Sequence, residues 1–278
     1  MNIEEELISV IGELGLSNVH LVHIGAHLVE ECATYNNALI KRVSWIEANP
    51  EHFSAAKFRL REYTNQEIFQ AAIYSLSGTT RTFYVASNDG MSSSLLKFDR
   101  HRGFFPNVQT QREFKVDTVT LDDFFNINFP NQPYPEVLVL DIQGAELDAL
   151  QGSQKSLENA KVVVSEISRY HLYKNQGLFD DINHLLKSKG YICVCLNYDT
   201  EFEYGDAIWV KSELAKILDF APITVMSNWN PRAGMFRNKF LLLDRLKLLE
   251  TALTINRWLH AKCSELRKLG SNKDNRHS

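Results

Sequence analysis

Short apolar runs alternate with segments whose apolar residues recur every three or four positions, the pattern of strands joined by helices. Val19 to Gly25 reads as a strand, with a helix predicted near Leu28 to Leu39. Arg42 to Glu47 reads as a second strand, followed by a helix from Pro50 to about Leu60 and a strand from Ile68 to Ile73. Thr79 to Ala86 and Arg112 to Thr120 instead alternate apolar and polar residues around a loop rich in Ser, Gly and Asn, which predicts an inserted antiparallel excursion. The first pattern resumes with Glu136 to Asp141, a helix from Ala145 to about Leu157 and a strand from Lys161 to Glu166. A helix from Phe179 to Ser188 stops at Gly190, and strands Tyr191 to Leu196 and Asp206 to Val210 form a hairpin across the polar turn Asn197 to Glu203. The expected fold class is α/β: a Rossmann-like, doubly wound parallel sheet with an antiparallel final strand. Residues 1–18 are expected as a helical lead-in, 19–212 as the α/β domain, and 213–278 as a C-terminal helical extension with a disordered end.

The run Val137-Leu138-Val139-Leu140 ends abruptly in Asp141, then Gly144 and Glu146. Strands covered on both faces read as continuous apolar runs, and open α/β sheets bind ligands beyond the carboxyl ends of their strands. Asp141 is therefore expected to face a ligand, against the plainer reading of an acid that caps the next helix. In such folds the first strand ends in a glycine turn, and an acid some 20 residues on binds ribose hydroxyls. Gly25 and Ala26 supply the turn and Glu47 the acid. The turn Ile24-Gly25-Ala26-His27-Leu28-Val29 offers one glycine where a pyrophosphate normally calls for three, which disfavours a dinucleotide and with it a nicotinamide-dependent oxidoreductase. S-adenosylmethionine, a nucleoside with a cationic tail, needs no phosphate cradle and gains from carboxylates such as Glu30 and Asp141.

Composition narrows the setting. With 44% hydrophobic and 23% charged residues, the chain is expected to be globular over most of its length. The acidic start Met1-Asn2-Ile3-Glu4-Glu5-Glu6 does not read as a signal peptide, and no apolar run is long enough to span a bilayer, so a cytoplasmic protein is expected. Cys32, Cys193, Cys195 and Cys263 have no CxxC spacing; Cys193 and Cys195 are expected on one strand face, too far apart to bridge easily, as reduced structural thiols.

Five phrases carry a family resemblance: His23-Ile24-Gly25-Ala26-His27, Trp45-Ile46-Glu47-Ala48-Asn49-Pro50, Met91-Ser92-Ser93-Ser94-Leu95-Leu96, Val119-Thr120-Leu121-Asp122-Asp123-Phe124, and Leu140-Asp141-Ile142-Gln143-Gly144-Ala145-Glu146-Leu147 with Leu150-Gln151-Gly152. In order and spacing, over residues 19 to 211, they resemble the FkbM family of S-adenosylmethionine-dependent methyltransferases. The resemblance implies the class I methyltransferase fold, and O-methylation of a hydroxyl on a sugar, glycan or secondary metabolite. It places cofactor contacts at Gly25, Glu47 and the loop around Ala72. Many members have Asp where His23 stands and Asn-Gly where His27-Leu28 stands, so contact with the methionine amine is expected to pass to Glu30 or to water.

Methyl transfer needs alignment first and a base second. Asp141, Glu166 or a nearby His are the candidate bases. His27, in the cofactor turn, reads as base, ligand contact or simple turn residue. His101 and His171 lie in loops where an acceptor would bind, though such histidines are more often solvated loop residues, and Ser93 is in a serine run that could pin a ligand but that turn chemistry explains equally well. Asp141, Glu146 and Glu166 at one rim are also compatible with a divalent cation, although no His/Cys spacing demands a metal.

From Arg232 onward the chain has eleven basic and four acidic residues, a net +7; with −4 overall, the remainder carries −11. Leu242, Leu246, Leu249 and Leu253 recur in steps of four and three, predicting a long amphipathic helix from Phe236 to Leu266. Its expected uses are self-association as a homo-oligomer or packing on the domain, peripheral contact with an anionic membrane, or docking of a glycan-assembly partner. An acidic core and basic residues interleaved with leucines argue against nucleic acid. The rival to an enzyme is a non-catalytic nucleoside-binding or scaffolding protein.

Overall fold

The computed structural model describes residues 3–199 and 204–217. The expected C-terminal helix with its three uses, Cys263 and part of the polar turn lie outside the described residues. The order begins with α1 (Ile3–Glu13), β1 (Val19–Ile24), α2 (Cys32–Tyr35), β2 (Ile40–Glu47), α3 (Pro50–Arg59), β3 (Gln66–Gln70), β4 (Ala72–Ile73) and β5 (Thr80–Ala86). There follow α4 (His101–Phe104), β6 (Thr110–Val119), α5 (Leu121–Asn128), β7 (Val137–Leu140), α6 (Glu146–Gln151), α7 (Gln154–Asn159) and β8 (Val162–Ser168). The hairpin region adds α8 (Phe179–Ser188), β9 (Tyr191–Asp199), β10 (Tyr204–Lys211) and α9 (Ser212–Ile217).

Seven strands form the main sheet in the order β3-β2-β1-β7-β8-β10-β9, parallel except for β10, which runs antiparallel to both its neighbours. This is the class I methyltransferase variant of the doubly wound sheet. Residues of its central strands alternate between two cores: Leu21, Val137, Val139, Val162 and Val164 face one, and Val22, Ile24, Leu138, Leu140 and Val163 the other. Helices cover both faces, so these strands are apolar on both sides. Each such burial stabilises the fold by about 1.5–3 kcal/mol, and no charge interrupts β7 before its end. In α8, found over the residues expected for it, Phe179, Ile182 and Leu186 are buried at helical spacing. Asn49 starts α3 by accepting the Glu51 N–H at 3.1 Å, and Pro50 takes the first helical position.

Four local expectations differ. No helix spans Leu28 to Leu39: the backbone is left-handed at His27 (φ 43°) and Val29 (φ 53°), and only the four residues of α2 are helical. A buried, β-branched Val29 in that region is strained, which ties its conformation to the surrounding packing. The strand expected over Ile68 to Ile73 divides; β3 pairs with β2, while β4 pairs with β6 in a small sheet ordered β4-β6-β5. The helix expected from Ala145 to Leu157 is two helices, broken at Gly152 and Ser153. A Cβ on Gly152 would meet the Tyr74 carbonyl at 2.5 Å, and the Ser153 hydroxyl donates to Ala149 O at 2.6 Å. Finally, Cys193 and Cys195 face opposite cores, because a bulge between them sets Trp209 opposite Cys193 and Ile208 opposite Cys195; neither is in a disulfide.

Trp209 anchors the antiparallel strand: it is fully buried and its indole N–H donates to Asn183 Oδ1 at 3.1 Å. Trp209→Ala is expected to lower stability by about 3–5 kcal/mol in urea denaturation, and a loss below about 1 kcal/mol would contradict this placement of β10.

Candidate active site

The carboxyl ends of β1, β2, β7 and β8 share one edge of the sheet, and the turn after β1 sets their spacing. Gly25 has φ 94°, and a Cβ there would lie 1.7 Å from the Asp141 carbonyl oxygen. The loops after β1 and β7 therefore lie backbone against backbone, joined by the Asp141 N–H donating to Ile24 O at 2.9 Å.

Glu47 closes this edge from β2. Its Oε2 accepts the His27 N–H at 2.8 Å and its Oε1 the Asn49 N–H at 2.7 Å. Burial pushes the carboxyl up to about 7, outweighing those two bonds. Glu47, Gly25, Ala72, Ser93 and Asp141 line a cavity of about 70 Å³. The Ser93 hydroxyl accepts the Ala86 N–H at 3.1 Å, so this serine stands on the Glu47 side of the site.

A second cavity, of about 380 Å³, shares Gly25, His27, Asp141 and Gln143 with the first. Ala26, Glu30, Glu31, Glu166, His101 and Tyr173 complete much of its wall. Gln143 joins two acids: its amide nitrogen donates to Asp141 Oδ1 at 2.8 Å and Glu166 Oε2 at 3.0 Å, while its oxygen accepts the Tyr173 hydroxyl at 2.8 Å. Burial, then the nearby carboxylates Asp141, Glu146 and Asp206, hold Glu166 well above the usual carboxylate range. The three acids do not act as one group, because Glu146 turns inward, its Oε1 accepting the N–H groups of Ile142 at 3.0 Å and Gly144 at 3.1 Å. It staples the loop. Among the described residues no three His, Cys, Asp or Glu are grouped to hold a metal ion.

The histidines divide by environment. His27 Nδ1 lies 2.8 Å from Glu30 Oε1 and Nε2 lies 3.0 Å from the Asp89 carbonyl oxygen. A carboxylate and a carbonyl only accept, so both nitrogens carry hydrogen, and the Glu30 bond lifts the ring to about 9. His101 is buried, stacked 4.2 Å from Phe98; burial pushes it down to about 4, and its Nδ1 has no partner. His171 is exposed, bonded to Gln176 O at 3.1 Å, and lies on neither cavity wall, so the structure does not bring it to the other site residues. His23 is buried and stacks on Trp45 at 4.7 Å. Sequence reasoning missed Gln143, Tyr173 and Glu31 as site residues. Gln143 stands inside the diagnostic phrase, but no local pattern marks Tyr173, which meets it from 30 positions away.

The profile of the FkbM methyltransferase domain matches residues 23–193. The chain belongs to the FkbM methyltransferase family. It is thus an S-adenosylmethionine-dependent methyltransferase, and the site fits that cofactor: a buried carboxylate at the tip of β2, a one-glycine turn without a phosphate cradle, and acids where a cation would lie. No curated protein matches the FkbM chain. Among solved structures it is similar to magnesium protoporphyrin IX methyltransferase from Synechocystis PCC 6803 with bound S-adenosylmethionine (10% identity, 75% of this chain and 79% of that one, TM-score 0.43). It is also similar to an O-methyltransferase from Bacillus cereus in complex with S-adenosylhomocysteine (11% identity, 74% and 78%, TM-score 0.44).

The His27 ring is expected to titrate near pH 9 by NMR and to fall toward 6.5 in Glu30→Gln; a wild-type midpoint at or below 6.5 would contradict the Glu30 bond. Because the folded value lies above the unfolded one, the stabilisation His27 provides is complete below about pH 6.5 and disappears as pH rises through about 9.

Proposed function

We propose that this FkbM methyltransferase transfers a methyl group to a hydroxyl of a sugar, glycan or secondary metabolite. The observation that carries the reading is the pair of cavities meeting at Asp141 and Gln143, the smaller walled by Glu47 and the larger by further acids. That arrangement suits a nucleoside donor beside a polar acceptor.

An ionised carboxylate offers about four acceptor positions, and the backbone uses one on each Glu47 oxygen, which leaves room for both ribose hydroxyls. Gly25 and Ala26 present bare backbone to the donor, and Ala72, Ile73, Phe83 and Leu95 offer apolar wall to a base. Asp141 and Glu30 face the donor's cationic portion. When bound, S-adenosylmethionine supplies a methyl group already activated on a sulfonium. Holding both reactants in register is then the main contribution, worth about 7–11 kcal/mol in favourable cases. An acceptor hydroxyl held beside Asp141 would give its proton to that carboxylate, which the Gln143 amide N–H holds in place at 2.8 Å. A base in this place adds about two to four powers of ten. His27 holds its proton up to about pH 9 with both nitrogens bonded, so it positions the turn rather than taking the proton. His101, neutral and with a free Nδ1, and Ser93 contact the reactants from the loop after β5.

Two charge-assisted hydrogen bonds of about 1.5–3 kcal/mol each make the ribose contact worth at least about 100-fold in affinity. Calorimetry with S-adenosylmethionine should show that loss in Glu47→Ala, and also in Glu47→Gln, which keeps an acceptor for one loop N–H. Wild-type protein with activated sugars or glycan intermediates should yield a methyl-sized mass gain. Cofactor binding without any methylated acceptor would favour the scaffolding alternative, and no cofactor affinity would end the reading.

A further inference from the structure

The wall of the larger cavity carries the carboxyl groups of Glu30, Glu31, Asp141 and Glu166, and among its described residues the one cationic side chain is His27. His27 is bonded to Glu30 and leaves the other three acids without a protein cation. S-adenosylmethionine brings one net positive charge, which matches one of them. Two acids on this wall remain without a counter-charge, which is costly to the extent that they are withdrawn from water. Burial raises Glu31 to about 7, as expected of a carboxyl that lacks a counter-ion.

A second feature points to a ligand in the same space. His101 is 3% exposed, lies on the cavity wall, contacts Ser92 Oγ through Nε2 at 3.3 Å, and has no partner for Nδ1. A neutral imidazole whose Nε2 is taken presents at Nδ1 a hydrogen-bonding position for a hydroxyl. Phe105, Tyr173 and Tyr204 add aromatic surface, which attracts both the apolar face of a sugar ring and an ammonium group.

We infer that the acceptor is a hydroxylated amine, an amino sugar or comparable amino alcohol, whose ammonium is taken by Glu31 and Glu166 while a hydroxyl meets His101 and Asp141. The inference rests on the methyltransferase reading and narrows its substrate class. Phosphorylated or sulfated acceptors, and nucleotide sugars whose diphosphate must enter the cavity, are excluded by the same acids.

Full-length protein saturated with S-adenosylhomocysteine is titrated by calorimetry with glucosamine, N-acetylglucosamine and glucose 6-phosphate. Glucosamine is expected to bind at least about tenfold more tightly than the other two, as an ammonium paired with two carboxylates would give. Glu31→Gln and Glu166→Gln should each reduce that preference to within about threefold while leaving S-adenosylhomocysteine bound. Glucosamine binding no better than its N-acetyl form, a preference for the phosphate, or no binding of any probe overturns the inference and leaves the methyltransferase reading standing. Failure of S-adenosylhomocysteine itself to bind removes both.

Discussion

The site depends on the contact of one backbone with another at Gly25 and Asp141. Any side chain at position 25 would occupy the space of the Asp141 carbonyl, so only glycine lets the loops after β1 and β7 meet. Once they meet, the rest of the edge has little freedom. Glu47 pins the first loop through the His27 N–H, and Glu146 folds the second back on itself. Gln143 then carries the second loop to Glu166 at the end of the next strand. Four strand ends thereby form one surface, held by hydrogen bonds between its loops.

Charge is the other organising feature. Acids outnumber cations along this edge, and burial keeps Glu31, Glu47 and Glu166 readier to hold protons than ordinary carboxyls. A fold selected for stability alone would not gather them. Gln143 makes the arrangement tolerable by standing between Asp141 and Glu166 as a neutral double donor, and Tyr173 fixes which way its amide points. The acids on the edge thus play different parts: Glu146 only holds a loop, Glu47 holds a loop and lines the smaller cavity, and Asp141 and Glu166 line the larger one.

Much of this was legible in the sequence where period and chemistry coincide. The run ending at Asp141, the glycine at 25 and the acid at 47 lie where a doubly wound sheet requires them, and α8 spans the residues expected of it. The failures share a cause, which is that side-chain period cannot report a backbone that leaves its regular path. Left-handed residues at 27 and 29 remove a helix whose apolar spacing looked sound. One bulged residue sends Cys193 and Cys195 to opposite cores. Gly152, pressed against the Tyr74 carbonyl, divides a helix because of a neighbour far away in sequence. His101 and His171 look alike as loop histidines, and only tertiary packing buries one while leaving the other in solvent.

The placement of β10 ties the chemistry of the site to the last hairpin. This strand enters between β8 and β9, so a segment synthesised after both must slot into the sheet before it is continuous. Its register sets Asp206 opposite Glu166, and its first residue, Tyr204, reaches the larger cavity. Until that hairpin docks, the flank of β8 is bare and Glu166 stays in water as an ordinary carboxylate. The proton affinity of Glu166 thus depends on a hairpin that reaches it from the far side of the sheet, and any loosening of β10 would alter the charge of the larger cavity without touching the strand that carries the acid.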